Sequence, residues 1–247
     1  MPQSVRCSAP TSRRPRSFVR RAIGLAAGVA LAATALPAQV VIASSSFTTN
    51  AEGWTLGDLF GRPCTPSTGL THLGSGGNPG GFIRTIDACS NVTAFIAPSA
   101  YLGNRLDAVG GELRFSMRSR ALTQGVSDLV VLTGGGLSIG VTTGTRPGAP
   151  AWTNFVVPMS VGSWRLVTNA TLGATATEQQ FLAVLGSLTA MRLQADWVSG
   201  GDETDLDSVS LTGVAVPPPN VVPEPSTYVL LASGLAGLGV IARRRRA

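Results

Sequence analysis

Gly111-Glu112-Leu113-Arg114-Phe115-Ser116-Met117-Arg118 alternates polar and apolar side chains over a full strand length. A period of two belongs to a β-strand, whose successive side chains leave on opposite faces. One face of this strand is assigned to a core and the other to water. Outward from it, between Ser44 and Gly213, most apolar runs are short and broken by glycine. Further strands are expected at 80–86, 92–96, 128–132, 137–142, 154–157, 164–168, 191–197 and 206–211. So many short strands predict a mainly β domain, an antiparallel β-sandwich or jelly roll. One segment departs from the pattern. Thr177 and Gln180 read as a capping box, and Phe181, Leu182 and Leu185 share a helical face, so 177–185 is expected to be a single short helix across one end of the sandwich. No period of 20 to 50 residues recurs, which excludes solenoids and propellers.

The two ends of the 247-residue chain have a different composition. Residues 1–21 are rich in arginine and free of acids, and 22–36 are small and apolar. This is the layout of a signal peptide, assigned to 1–43, with cleavage near Gln39 or Ser44 by the general secretory route. Ala22-Ile23-Gly24 after Arg20-Arg21 does not support the twin-arginine route. The globular domain is assigned to 44–213. At the other end Pro217-Pro218-Pro219 starts a linker, 214–222, that cannot enter a helix or a central strand. Pro223-Glu224-Pro225 follows, then an apolar stretch, 227–242, read as a transmembrane helix, then Arg243, Arg244, Arg245 and Arg246. Sixteen residues give about 24 Å of helix against a hydrocarbon core of roughly 30 Å, and snorkelling arginines make up part of the difference. The arginine cluster acts as a membrane-retention signal on the cytoplasmic side, placing the domain on the far side.

Charge excludes one class of partner. The net charge is +6, yet all 19 basic residues are arginine and ten of them lie in the two termini. Nine arginines against twelve acids leave the middle mildly acidic, with no phosphate-binding stripe and no expectation of nucleic-acid binding. Cys64 and Cys89 are the two cysteines of the exported part, and an exported pair is most simply a disulfide, its closure contributing about 3 kcal/mol. The alternative, a metal pair, lacks partners: His72 is the single histidine and there is no CxxC.

Pro223-Glu224-Pro225, the glycine-rich apolar helix and the terminal arginines resemble the PEP-CTERM sorting signal, here 223–247. That resemblance implies an exosortase as partner after the secretion machinery, cleavage near the motif, and release or transfer to the cell surface or extracellular matrix. Within the domain, Phe47, Glu52-Gly53-Trp54, Gly77-Asn78-Pro79-Gly80-Gly81-Phe82, Ala97-Pro98, Tyr101-Leu102-Gly103, 111–115, Gly135-Gly136-Leu137, Trp152-Thr153 and Leu206-Asp207-Ser208-Val209 resemble the laminin B, or laminin domain IV, module. This implies a jelly roll akin to carbohydrate-binding modules, from extracellular matrix proteins, with no family-wide catalytic residue.

Candidate sites are few. Gly136-Leu137-Ser138-Ile139-Gly140 spells a nucleophile elbow, but a serine needs a base and the only histidine lies upstream, so a glycine-rich strand or turn is expected. Residues 200–207 hold four carboxylates before the last strand. Hard oxygen ligands this dense can coordinate Ca²⁺, with Glu52 and Asp207 as side-chain contributors, although an ordinary solvated acidic turn is the favoured reading. No other cofactor is expected. Paired carboxylates for glycoside hydrolysis need a cross-cleft geometry that sequence proximity does not supply. Trp54 and Trp164 are assigned to the core; Trp152, in a loop after Pro150, is the best exposed aromatic for a ligand, with the loop 74–81 beside it as a second candidate. The sequence thus reads as a non-enzymatic exported surface or matrix protein with an adhesive or scaffolding domain. The alternatives are a carbohydrate-binding module for exopolysaccharide and, third, a polysaccharide-acting enzyme.

Overall fold

The alternating stretch forms the strand Glu112–Ser119, inside one of two antiparallel sheets that face each other across the core. The computed structural model describes residues 38–120, 129–198, 201–215 and 224–245. The signal peptide to Pro37, Asp128 of an expected strand, the linker prolines, Pro223 and Arg246 lie outside the described residues. One sheet runs β3 (Thr71–Gly77), β4 (Gly80–Ile86), β13 (Glu203–Val214), β6 (Glu112–Ser119) and β9 (Thr153–Pro158), with β1 (Gln39–Ser45) also paired to β13. The other runs β11 (Thr171–Thr175), β10 (Arg165–Thr168), β8 (Leu137–Thr142), β7 (Leu129–Gly134), β12 (Leu188–Gln194), β5 (Thr93–Ile96) and β2 (Thr55–Asp58). The sandwich expected from the sequence is therefore the architecture. The first strand begins at Gln39, ahead of the Ser44 boundary drawn from the sequence, and its partners on β13 run from Val214 to Val209.

The pleat explains the burial. Leu113, Phe115 and Met117 of β6 are buried in the core with Phe155 and Val157 of β9 and Leu206, Val209 and Leu211 of β13. Phe115 stacks on Phe155 at 4.9 Å between centroids. Burying each such ring contributes about 1.5–3 kcal/mol. Trp54 and Trp164 are buried as expected, and so is Trp197. Phe47, Trp54 and Tyr101 form an edge-to-face chain. The Trp54 indole and the Tyr101 hydroxyl both donate to Ser45 Oγ, and Tyr101 also reaches the Val209 carbonyl, so β1 is tied through its last residue.

Helix α1 (Glu178–Gly186) carries the expected capping box from Thr177 to Gln180 in both directions. Its buried residues are Phe181, Val184 and Leu185, with Leu182 at the margin of the core. Helix α2 (Glu224–Arg244) begins inside the Pro-Glu-Pro motif, where Pro225 sits in a first turn whose amide hydrogens need no helical acceptor. Among the described residues no helix is long and apolar enough to cross a membrane.

Strand β13 organises its sheet. Its first half, Glu203 to Leu206, pairs with β4; its second half, from Val209, pairs with β1; β6 runs along the other side. The register slips between Asp207 and Ser210, and Ser208 takes φ 52°. The slip falls where β4 and β1 meet end to end.

Candidate functional site

Three arrangements are built around β13. The first lies on the face of the six-stranded sheet turned away from the core. Asp205 sits opposite Arg84 of β4 on one side and Arg118 of β6 on the other. Its carboxylate is fully buried and accepts from Arg84 Nε at 2.6 Å, Arg84 Nη2 at 2.9 Å and Arg118 Nε at 2.7 Å. Arg84 and Arg120 also pair with Glu203. The partnership with Asp205 is the main cause that raises the Arg84 pKa further above its ordinary value. The Arg118 guanidinium lies over Trp152 at 4.4 Å and over Phe82 at 4.9 Å, and Phe82 meets Trp152 edge-on at 5.7 Å. Trp152 Nε1–H donates to the Gly76 carbonyl at 3.3 Å, which fixes the ring against the end of β3, since residues 74–77 and 80–81 of the expected loop belong to β3 and β4. The sequence-selected Trp152 and loop 74–81 are thus brought together. Trp152 is half-buried, with Arg118 over the ring, so it is less open than a free loop tryptophan. Beside it Ser116 Oγ donates to Asn154 Oδ1 at 2.7 Å, and the Asn78 amide reaches both.

The second arrangement is the junction at the β13 slip. The Asn78 and Ser208 amides donate to the Asp207 carboxylate, and Ser208 Oγ donates to the Asn78 carbonyl. Glu52 Oε1 accepts from the Phe47 amide at 2.6 Å and the Ser46 amide at 3.2 Å. Burial is the main cause that raises the Asp207 pKa, and the like charge of Glu52 adds to it against the two amides. The pair chosen from the sequence is therefore close enough to interact. Phe47, Glu52 and Ser208 all hold positive φ near 50°, a strained conformation for residues other than glycine. The approach of the chains is tight: a Cβ on Gly81 would lie 2.0 Å from the Phe47 carbonyl oxygen, and one on Gly77 2.6 Å from Asp207 Oδ2. Carboxylate and carbonyl oxygens are the donor chemistry of a hard cation. His72, on β3, is occupied elsewhere: its Nε2–H donates to the Phe47 carbonyl at 2.7 Å.

The third arrangement is the acidic run itself, which the strand separates. Glu203 and Asp205 face arginines, Asp207 faces Glu52, and Asp202 turns to a different group described below. Four carboxylates adjacent in sequence therefore make no single site. Nor does the serine pattern make one. Gly135 and Gly136 form the two-residue β7–β8 turn with φ 57° and 76°, and Ser138 Oγ shares a hydrogen bond with Thr133 Oγ1. Cys64 and Cys89 are joined in a disulfide with Cα atoms 5.7 Å apart. It ties the segment after β2 to the loop between β4 and β5, where Leu59, Ala94 and Val131 make a small outer cluster.

The arginine–aspartate–arginine lattice was not singled out from the sequence. Its signal was there in the alternation: Phe82 and Arg84, Ser116 and Arg118, Asp205 and Asp207 are i, i+2 pairs on faces turned away from the core. Only register places them side by side.

The described residues form a two-sheet antiparallel sandwich whose outer face carries a lattice of ion pairs. The chain belongs to the laminin B (domain IV) family, whose model matches residues 94–226. Residues 221–246 match the PEP-CTERM protein-sorting motif. Over 126 residues, 49% of this chain, it is 29% identical to the basement membrane-specific heparan sulfate proteoglycan core protein of Mus musculus, and spans 3% of that protein's length. The L4b domain of human laminin alpha-2 has the same fold, with a TM-score of 0.55 at 14% identity over 71% of this chain and 98% of that domain. A family 11 carbohydrate-binding module from a cellulosomal cellulase of Clostridium thermocellum gives a TM-score of 0.44 at 10% identity over 73% of this chain and 97% of the module. Sorting motif and domain together mark an exported, surface-associated protein.

Proposed function

We propose that this protein is a non-enzymatic surface or extracellular-matrix protein whose sandwich is an adhesive or scaffolding domain. In this reading the secretion machinery exports it and α2 holds the precursor in the inner membrane, with Arg243 to Arg246 on the cytoplasmic side. An exosortase then cuts near Pro223-Glu224-Pro225. The observation that carries the domain's role is the lattice around Asp205: each charge is matched to a fixed partner, so the face is rigid and suited to contact rather than to proton transfer. Glu52 and Asp207 would hold a structural Ca²⁺ that stiffens the junction of β1 and β4.

The test is to express the chain in an exosortase-containing host and measure its intact mass in each cell fraction. A C-terminus between Pro223 and Ser226 in surface or matrix fractions is expected; an intact Ala247 terminus confined to the inner membrane would overturn the sorting step. For the domain, matrix from a strain lacking the protein should bind the purified chain, and Trp152→Ala or Arg118→Ala should weaken that binding.

One observation favours a second reading, a carbohydrate-binding module for exopolysaccharide. Asn78, Ser116 and Asn154 present amide and hydroxyl groups beside a half-buried tryptophan, the pairing of polar groups with an aromatic surface that sugars use. Deproteinised exopolysaccharide would then retain the purified chain, whereas a protein scaffold would lose its target on protease treatment of the matrix.

A further inference from the structure

Two sheets of a sandwich are held together by their core, but at their ends the connecting loops must be fixed by other means. At one end two loops meet, the β4–β5 and β12–β13 connections. Asp87 follows β4 of the six-stranded sheet, Asp196 follows β12 of the seven-stranded sheet, and Asp202 precedes β13. One carboxylate oxygen from each lies within 4.8 Å of the others. The donors around them are already assigned: Thr93 Oγ1 bonds Asp87 Oδ1 at 3.2 Å, the Trp197 amide bonds Asp202 Oδ2 at 2.7 Å, and the Asp87 amide bonds the Asp202 carbonyl at 3.0 Å.

A cluster of acids needs no ligand when water or arginine satisfies it. Here Asp202 is only 1% exposed, and its Oδ1 is buried with no hydrogen-bond partner. A buried carboxylate oxygen left unbonded costs the full desolvation of that atom, and the other two carboxylates add like charge. Burial, followed by the charges of Asp202 and Asp87, pushes Asp196 up to about 6. A bound cation would remove all three costs at once. The donor set is oxygen only: both exported cysteines are in the disulfide and the single histidine is bonded to Phe47. Hard oxygen donors, two of them half-exposed so that water can complete the shell, select Ca²⁺ over zinc or copper.

The geometry points to a Ca²⁺ site formed by Asp87, Asp196 and Asp202, distinct from the Glu52–Asp207 junction, that clamps the two sheets together beside the Cys64–Cys89 disulfide. Trp197 lies next to Asp196 in the chain and bonds Asp202, so the site carries its own optical reporter.

The experiment uses the full chain, exported and oxidised, in detergent, with Tb³⁺ and Ca²⁺ as probes. Tryptophan-sensitised Tb³⁺ luminescence that Ca²⁺ displaces is expected. Asp196→Asn and Asp202→Asn should each weaken Ca²⁺ by about tenfold or more, since even partners outside the coordination shell cost that much. Asp107→Asn, at an exposed acid outside both carboxylate groups, should leave the signal unchanged. Melting separates a ligand role from a folding defect. In EDTA Asp196→Asn should melt at or above the wild type, because it relieves repulsion, whereas Ca²⁺ should raise the melting temperature of the wild type by more than that of the variant. Equal Ca²⁺ affinity in wild type, Asp196→Asn and Asp202→Asn would overturn the site. So would the absence of any Ca²⁺ effect at roughly millimolar concentration, the range of extracellular calcium modules.

Discussion

Removing the Asp205 carboxylate tests whether the outer face is a fixed lattice. The side chain is fully buried, and the two arginines that share it are 16% and 18% exposed at their side chains. Taking away one member of a buried ionic group costs about 3–5 kcal/mol, because the remaining charge is left uncompensated. Arg84 keeps Glu203 at 2.8 Å, so the lower end of that range, about 3 kcal/mol, is expected for Asp205→Asn. Asparagine preserves the volume and one acceptor, which makes the loss a measure of charge rather than of packing. In a domain of this size that corresponds to a fall in Tm of roughly 6–12 °C. The assay is urea denaturation of the purified chain followed by tryptophan emission, with Asp205→Asn combined with Arg118→Met in a double-mutant cycle. Arg118 covers Trp152, so emission should also shift in the native baseline. A cost below about 1 kcal/mol, the level of an ordinary exposed pair, would refute the reasoning and with it the rigid face on which the proposed contact role rests.

Other outcomes follow from named contacts. Replacing Cys64 and Cys89 together by serine opens a loop with a sequence separation of 25 and should cost about 3–4 kcal/mol in denaturant unfolding under oxidising conditions. Gly81→Ala should destabilise by about 3 kcal/mol, since the new Cβ would meet backbone at the Phe47 carbonyl; a neutral result would mean that the junction can open. Burial first, and then the charge of Glu52, raises the Tyr101 phenol above its ordinary value near 10. The folded state therefore holds this proton more tightly than the unfolded state, so the contribution is complete below about pH 10 and is lost as pH climbs above it. Stability curves of the wild type and Tyr101→Phe should run parallel to about pH 9 and then diverge, with the wild type falling faster.

The alternation at 112–118 revealed its strand because that strand has one wet and one dry face, and the capping box at Thr177 revealed α1 for an equally local reason. Strand β3, Thr71-His72-Leu73-Gly74-Ser75-Gly76-Gly77, holds three glycines among its seven residues, carries no such period and was missed. Strand β1 was missed because its apolar residues sit where a signal peptide ends, and β2 and β11 because they are short edge strands. Glu52 and Asp207 were paired in the sequence as oxygen donors beside the first and last strands, and the fold brings them to one junction. Asp87 and Asp196 were not, since each is a lone acid after an apolar strand and only the closing of two sheets brings them together.

Strand β13 is the last of its domain to leave the secretion channel, yet β1, β4 and β6 all depend on it as partner. The six-stranded sheet therefore cannot close while residues 203–214 remain in transit. Residues 215–223 span at most about 30 Å when extended, so closure takes place within that distance of the helix that follows and just ahead of the sorting motif. Completion of the fold and arrival of the cleavage motif are thereby events of one moment in export, and a chain that stalls before β13 emerges would reach the sorting step with its sheet still open.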